Sequence, residues 1–339
     1  MPGSEGSTLT ILMLKSSLPT ALIFILSLVT GTVQADPSDV QQALEQISSI
    51  SESDIRESAI AFFNTSTTPG LEGATLSIDT ADRDSAQWRS SLGFEAEFTI
   101  KNYIMNGYWG FALVGGSMED TIYLETVNGD PVVLDVRRDL IGARANIGLS
   151  LPVDKHLKIR PLFTIAISDY HAETDVDGLT INTPSGDTIT NPSYISNATM
   201  LSSIGTIEAA YIRWIRQGKL ELSGRYNFIH NQSISEDNPI LDTDTWNRTS
   251  MLKGMYSNNT PLMTKGRPWR WLVYASHTNF ITINKSALGY TGLFEVGTGL
   301  EWHLNIKPLD WFGWQSVGIK LGVITSRDVE GINFGLTAR

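Results

Sequence analysis

The spacing of apolar residues changes period near Gly70. Before it, Val40, Leu44, Ile47 and Ile50 recur at helical spacing, and Ser38 with Gln41 forms a capping box just after Pro37. This predicts a helix from Asp36 to about Asn64. Its second part, Asp54 to Phe63, sets Ile55, Ala59 and Phe62 on one apolar face opposite a polar one. Such a face must be buried against something.

After Gly70 the period becomes two. Leu92, Phe94, Ala96, Phe98 and Ile100 alternate with Gly93, Glu95, Glu97, Thr99 and Lys101. Ile141, Ala143, Ala145, Ile147 and Leu149 alternate with Gly142, Arg144, Asn146, Gly148 and Ser150. The same pattern runs from Leu157 to Ile167, from Leu220 to Phe228, from Tyr290 to Trp302 and from Val317 to Val323. Weaker runs start near Thr75, Met105, Ser203, Trp246, Trp269 and Gly331. Together they predict about twelve antiparallel strands of about ten residues, the length a tilted strand needs to cross a bilayer.

A soluble sandwich also alternates, so the choice rests on three further features. First, Lys101 to Asn106, Pro152 to His156 and Arg216 to Lys219 are short connections, while Gly116 to Asp139, His171 to Ser202 and Asn231 to Thr245 are long. Barrels of the outer membrane have short periplasmic turns and long outer loops. The stretch from Ser257 to Pro268 is too long for its place in that scheme. Second, tryptophan falls near strand ends: Trp109, Trp214, Trp269, Trp271, Trp302, Trp311 and Trp314 by the inner turns, Trp88 and Trp246 at the outer ends. Amphipathic rings settle at headgroup level, which predicts two girdles. Third, the polar face carries glycine and charges of both signs, as a narrow lumen requires. Glu95, Glu97, Glu295 and Glu301 are there to pair with Arg144, Lys158, Arg160, Arg225 or Lys320. A solvated sheet face without pairing is the competing reading of those charges. The expected fold class is therefore all-β, an antiparallel transmembrane barrel over 70–339, with an even strand count that leaves both ends on the periplasmic side.

The N-terminus supports export. Lys15, the apolar run Leu22 to Leu26 and the small-residue end Val33-Gln34-Ala35 have the layout of a signal peptide over 1–35, cleaved after Ala35. A retained helical anchor is the alternative, although the run is short for a span. Glu5 is foreign to a basic leader, which makes Met13 a second candidate start. Removing 1–35 takes one lysine and one glutamate, so the net charge stays at −11. An acidic chain of this kind is no nucleic-acid binder. The sequence has no cysteine, which excludes disulfides, thiol catalysis and thiolate metal sites.

The order of parts, a leader, a helix from Ser38 to Phe63 and about twelve strands to the C-terminus, resembles the translocator domain of autotransporters. It resembles in particular the solitary autotransporter-like barrels of the outer membrane that carry no passenger. That resemblance implies a lumen helix over 36–69, whose face of Val40, Leu44 and Ile47 would meet the inner wall. It also implies outer-membrane lipid and the barrel-assembly machinery as partners. Two departures stand out. The helix lacks the Asn-Asn pair of self-cleaving members, having only Asn64 at its end, and the chain ends Phe334-Gly335-Leu336-Thr337-Ala338-Arg339 rather than on an aromatic residue.

Catalytic and metal constellations are not apparent. His156, His171, His230, His277 and His303 are scattered, and Ser276 points to the opposite strand face from His277. Asp175-Val176-Asp177 offers two carboxylates where calcium takes six or more oxygens. The sequence thus implies no enzyme, cofactor or metal. It leaves three roles open: an occluded barrel contacting a surface ligand through its outer loops, a narrow solute channel, and a translocator of a short peptide.

Overall fold

The computed structural model describes residues 52–68, 74–80, 83–126, 129–182, 188–282, 289–304, 316–327 and 329–338. The expected signal peptide, Val40, Leu44, Ile47, Trp311 and Trp314 lie outside them. One helix, α1 (Glu52–Thr67), precedes the strands β1 (Ala74–Thr80), β2 (Arg83–Thr99), β3 (Asn106–Glu125), β4 (Pro131–Pro152), β5 (Leu157–Asp177) and β6 (Ser193–Ile215). After them come β7 (Gly218–Glu236), β8 (Asp244–Thr264), β9 (Arg267–Phe280), β10 (Gly292–His303), β11 (Ser316–Thr325) and β12 (Val329–Ala338). Each strand pairs antiparallel with its sequence neighbours, and β1 closes on β12 from Thr75↔Ile332 to Ile78↔Val329. The twelve strands form one closed barrel.

Inside the wall, alternation sorts side chains as the sequence pattern predicts. Ile141 is 71 % exposed and Ile147 63 %, while Asn146 between them is 8 % exposed. An outside made of isoleucine, leucine and phenylalanine is stable only against hydrocarbon, so this is a transmembrane barrel. On β4 the apolar outward run from Ile141 to Leu149, at roughly 3.3 Å per residue and a tilt of about 40°, is about 20–25 Å tall. That matches the apolar band of barrels that cross a bilayer.

The strands are longer than the crossing. β4 has 22 residues and β6 has 23, against about ten for a bilayer. The extra length projects from one end, here called the loop end, and corrects the expected loops. Much of 116–139 is ladder, running from Gly116↔Leu140 to Glu125↔Pro131, and 171–202 and 231–245 are largely strand as well. The physical reason is an inversion of the pattern at the membrane boundary. On β4, Val132, Leu134 and Val136 turn inward, whereas Ile141, Ala143 and Ala145 turn outward. Above the band the inward face forms a small core of Val132, Leu134, Val176, Leu179 and Tyr194, with Ile122, Leu124 and Val136 packed on it. A short ribbon of Thr180–Asn182 with Thr188–Thr190 lies in the connection that follows β5.

At the other, turn end the connections from β6 to β7 and from β8 to β9 are tight. The long stretch 257–268 proves to be mostly strand, closed by Lys265 and Gly266 with φ of 51° and 71°. Two adjacent left-handed residues make a turn that matches the strand twist. In the β4–β5 turn, the backbone N–H groups of His156 and Leu157 donate to Asp154 at 2.5 and 2.8 Å. Those bonds hold its carboxyl below the ordinary aspartate range.

Trp109, Trp269, Trp271 and Trp302 sit at the turn end, with Trp269 and Trp302 stacked at 6.3 Å. Trp88 and Trp246 lie near the loop end, both exposed. Trp214 is at the turn-end rim, under the guanidinium of Arg270 at 5.6 Å.

Replacing Ile165, outward and in mid-band, by arginine is expected to cost about 2–4 kcal/mol of folding stability in lipid vesicles. Asp139→Arg, beyond the band, is expected to change it by no more than ~1 kcal/mol. Urea titration of both refolded variants is the measurement, and equal losses would contradict the assigned band.

Candidate functional site

The lumen gathers the polar faces of the strands, and α1 packs against them. Every side chain from Ser58 to Thr68 is buried. The expectation of one apolar and one polar helix face is thereby corrected: Ala59, Ile60, Ala61, Phe62 and Phe63 pack on all sides, and Asn64 to Thr68 are enclosed too. Phe62 and Phe63 belong to an apolar cluster with Val114, Met118, Leu140, Tyr170 and Met200, which are inward residues of β3 to β6. Gly116 opens the wall for the helix. A Cβ there would stand 3.0 Å from Ser66 Oγ and 3.3 Å from Phe62 Cζ.

Polar contacts fix the depth of the helix. Gln87 Nε2 of β2 donates to Thr65 at 2.9 Å, and Asn231 of β7 donates to Asn64 at 2.9 Å. Arg144 Nη1 of β4 donates to the carbonyls of Thr67 and Thr68 at 3.0 and 2.9 Å. Those carbonyls are the unsatisfied acceptors of a helix C-terminus, where a cation also complements the helix dipole. The other half of the helix packs toward the turn of Pro239–Leu241 at the loop end. The helix therefore runs from the loop end toward the middle of the barrel.

Nearer the turn end, charges bridge the wall. Glu97 of β2 accepts from Lys158 Nζ at 2.7 Å and Arg160 Nη2 at 2.5 Å, both on β5, and from Ser150 of β4 at 3.1 Å. Since β3 and β4 lie between, these bonds cut across the curve of the wall. Arg160 Nη1 continues to Glu208 of β6 at 2.7 Å, and Arg225 Nε of β7 donates to the same carboxylate at 2.8 Å. Glu95 accepts from Tyr108 and, at 3.2 Å, from Asn146. On the opposite wall Glu295 accepts from Tyr274 at 2.6 Å and Asn333 at 2.6 Å. Lys320 lies over the Tyr274 ring at 5.8 Å, and Glu301 accepts from Ser316 at 3.5 Å.

All nine lumen charges singled out from the sequence thus face inward, in two separate groups, with Arg144 bound to the helix rather than to a carboxylate. Sequence reasoning missed Glu208, because β6 has isoleucine on both faces, Ile204 inward and Ile207 outward, which blurs the alternation. It also missed a second cluster toward the loop end, where Asp120 of β3 takes Arg83 of β2 at 2.8 Å, Arg138 of β4 and Ser85. Asp120 and Arg138 fall in the stretch read as loop.

The histidines are spread apart. His171 Nδ1 is 2.7 Å from Asn197 Oδ1, His230 Nε2 is 2.6 Å from Asp244, and Ser276 turns inward to Glu295 while His277 turns outward. Asp175 and Asp177 are exposed on the outward face of β5.

No family model matches the sequence, and no curated protein does. Solved structures do match in shape. The chain is similar to autotransporter translocator domains. The β-domain of BrkA from Bordetella shares 12 % identity at a TM-score of 0.47, covering 78 % of this chain and 93 % of its own. The translocator domain of NalP from Neisseria meningitidis shares 11 % at 0.45, covering 78 % and 83 %. The transport unit of AIDA-I from Escherichia coli shares 11 % at 0.41, covering 84 % and 99 %.

Glu208→Ala would leave two buried guanidinium groups short of a counter-ion and is expected to cost about 3–5 kcal/mol. A compensated double variant, Glu208→Leu with Arg225→Met, is expected to recover most of that loss. Comparing the two by urea unfolding tests whether the pair is a mutual requirement.

Proposed function

We propose that the chain is an outer-membrane barrel whose lumen is occluded by α1 and whose loop end faces the cell exterior, serving a structural or surface-contact role rather than solute flow. The observation that carries this is the complete enclosure of Ser58 to Thr68 by the inner wall, with Arg144 capping the helix end. A helix about 10 Å across with side chains fills most of a twelve-strand lumen. The Glu97–Arg160–Glu208 bridge narrows what is left below it.

A second reading, translocation of a short peptide, is favoured by the helix direction. Because α1 descends from the loop end, its N-terminal end lies on that side. Protease shaving of whole cells is expected to clip the chain ahead of Glu52 on this reading. Full protection there, with other loop-end sites cut, would reject it.

In planar bilayers the intact protein is expected to show no steady current. Gly116→Val, which crowds Phe62, and Arg144→Met, which frees the helix carbonyls, are expected to raise open events. A steady wild-type conductance that is unchanged when residues 38–63 are deleted would remove the occluded-lumen reading in favour of a channel.

A further inference from the structure

The lipid-facing wall is not uniform. On β11 and β12 it presents Ile319, Leu321, Val323, Ile332 and Phe334, all large and exposed. Many outward positions on β6 to β9 are small or polar instead. Ala209 stands opposite Gly224, Gly224 opposite Leu252, and Leu252 opposite His277. In the next outward row toward the turn end, Leu222 stands opposite Gly254 and Gly254 opposite Ala275. Large and small side chains thus alternate across the face, and they leave an open groove of about 510 Å³ that His277 helps to line.

The level of His277 in the membrane makes this groove more than a flaw in packing. Leu252 lies six residues from Trp246 along β8, and His277 lies six residues from Trp271 along β9. Those two rings mark the loop-end and turn-end girdles. At roughly 3.3 Å per residue and a tilt of about 40°, the row of Leu252 and His277 is about 15 Å from each of them. His277 is therefore exposed in the middle of the hydrocarbon, and among the described residues its ring has no hydrogen-bond partner. A neutral imidazole carries one donor and one acceptor, and hydrocarbon serves neither. Ionisable side chains at this depth almost always face protein rather than lipid, and they mark a functional contact. Ser250 and Asn279, opposite each other in the next outward row toward the loop end, add a hydroxyl and an amide to the same face.

We infer that this face packs against a second copy of the chain about a two-fold axis normal to the membrane, with His277 of each copy bonded to Ser250 or Asn279 of the other. The face brings its own complement. Its leucines fit the furrow that the glycines and alanines leave, and small residues let two backbones approach in lipid, where packing and hydrogen bonds drive association. Four strands about 4.8 Å apart over a band of about 25 Å offer a footprint of roughly 500 Å² on each copy, or about 1,000 Å² in all, which reaches the size of a specific interface. A lipid acyl chain would fill the groove but leave the imidazole unserved. Such a pair forms on the outside of the wall, so it is independent of whether the lumen is occluded.

The experiment uses the full chain refolded into lipid vesicles, with donor and acceptor dyes on Lys101→Cys at an exposed turn of a chain that has no cysteine of its own. Heat-modifiable gel mobility confirms that each variant is folded. Energy transfer between copies is expected to persist on dilution with excess lipid. His277→Leu is expected to weaken pairing at least about fivefold, while His277→Gln, which keeps a donor and an acceptor, stays within about twofold of wild type. Gly224→Leu, which fills the furrow, is expected to abolish pairing. On oxidation, Gly254→Cys alone is expected to give a cross-linked dimer, whereas Leu92→Cys alone, on the far wall, is not. Transfer that falls to the level of random encounter on dilution would overturn the proposal, whether the groove then holds lipid or a different protein. So would pairing that His277→Leu leaves intact, equal loss in the leucine and glutamine variants, or cross-linking at Leu92→Cys as efficient as at Gly254→Cys.

Discussion

A hydrocarbon phase offers the backbone no hydrogen-bond partner, and the rest of the molecule follows from that. Each unpaired amide in the band would cost several kcal/mol, so strands can cross only as a ring without edges. Joining β1 to β12 meets this condition and fixes the period-two code. Within the band, one face of every strand meets lipid and the other a confined interior. Above the band, water replaces lipid, and on β4 the code reverses while its ladders with β3 and β5 continue.

The interior then has its own constraint. Side chains that line a narrow lumen are held away from bulk water, so charge has to be neutralised locally. Glu97, Arg160, Glu208 and Arg225 form a chain in which each carboxylate serves two cations. Arg144 departs from that scheme, satisfying carbonyls at the end of a helix instead. The helix is in that sense one of the lumen's counter-groups.

Much of this was legible in the residues, and the failures have a common cause. Ile141 to Leu149 announce a lipid face against Arg144 and Asn146 because both environments are extreme there. Asp120 and Arg138 were lost because the apolar set moves from odd to even positions between Ile141 and Val136, so one strand looks like a strand followed by a loop. Thr264, Lys265 and Gly266 hid a tight turn, since the strands around it extend past the membrane and carry polar residues. Glu208 was masked by isoleucine on both sides of its strand. The helix was legible in kind but its end was not: Thr65 to Thr67 are weak helix formers, and their hydroxyls bond to carbonyls one turn back.

Gln87 reaches the helix through its amide nitrogen and a loop through its amide oxygen, which accepts from Tyr290 at 3.1 Å. Tyr290 is buried against Phe280 in the connection between β9 and β10. A single wall side chain is thus shared by two elements far apart in sequence. Whichever of them withdraws leaves half of a buried amide unsatisfied, which raises the cost of holding the side chain in the pose that the other needs. The helix and Tyr290 are consequently fastened by one knot, and loosening either end slackens both.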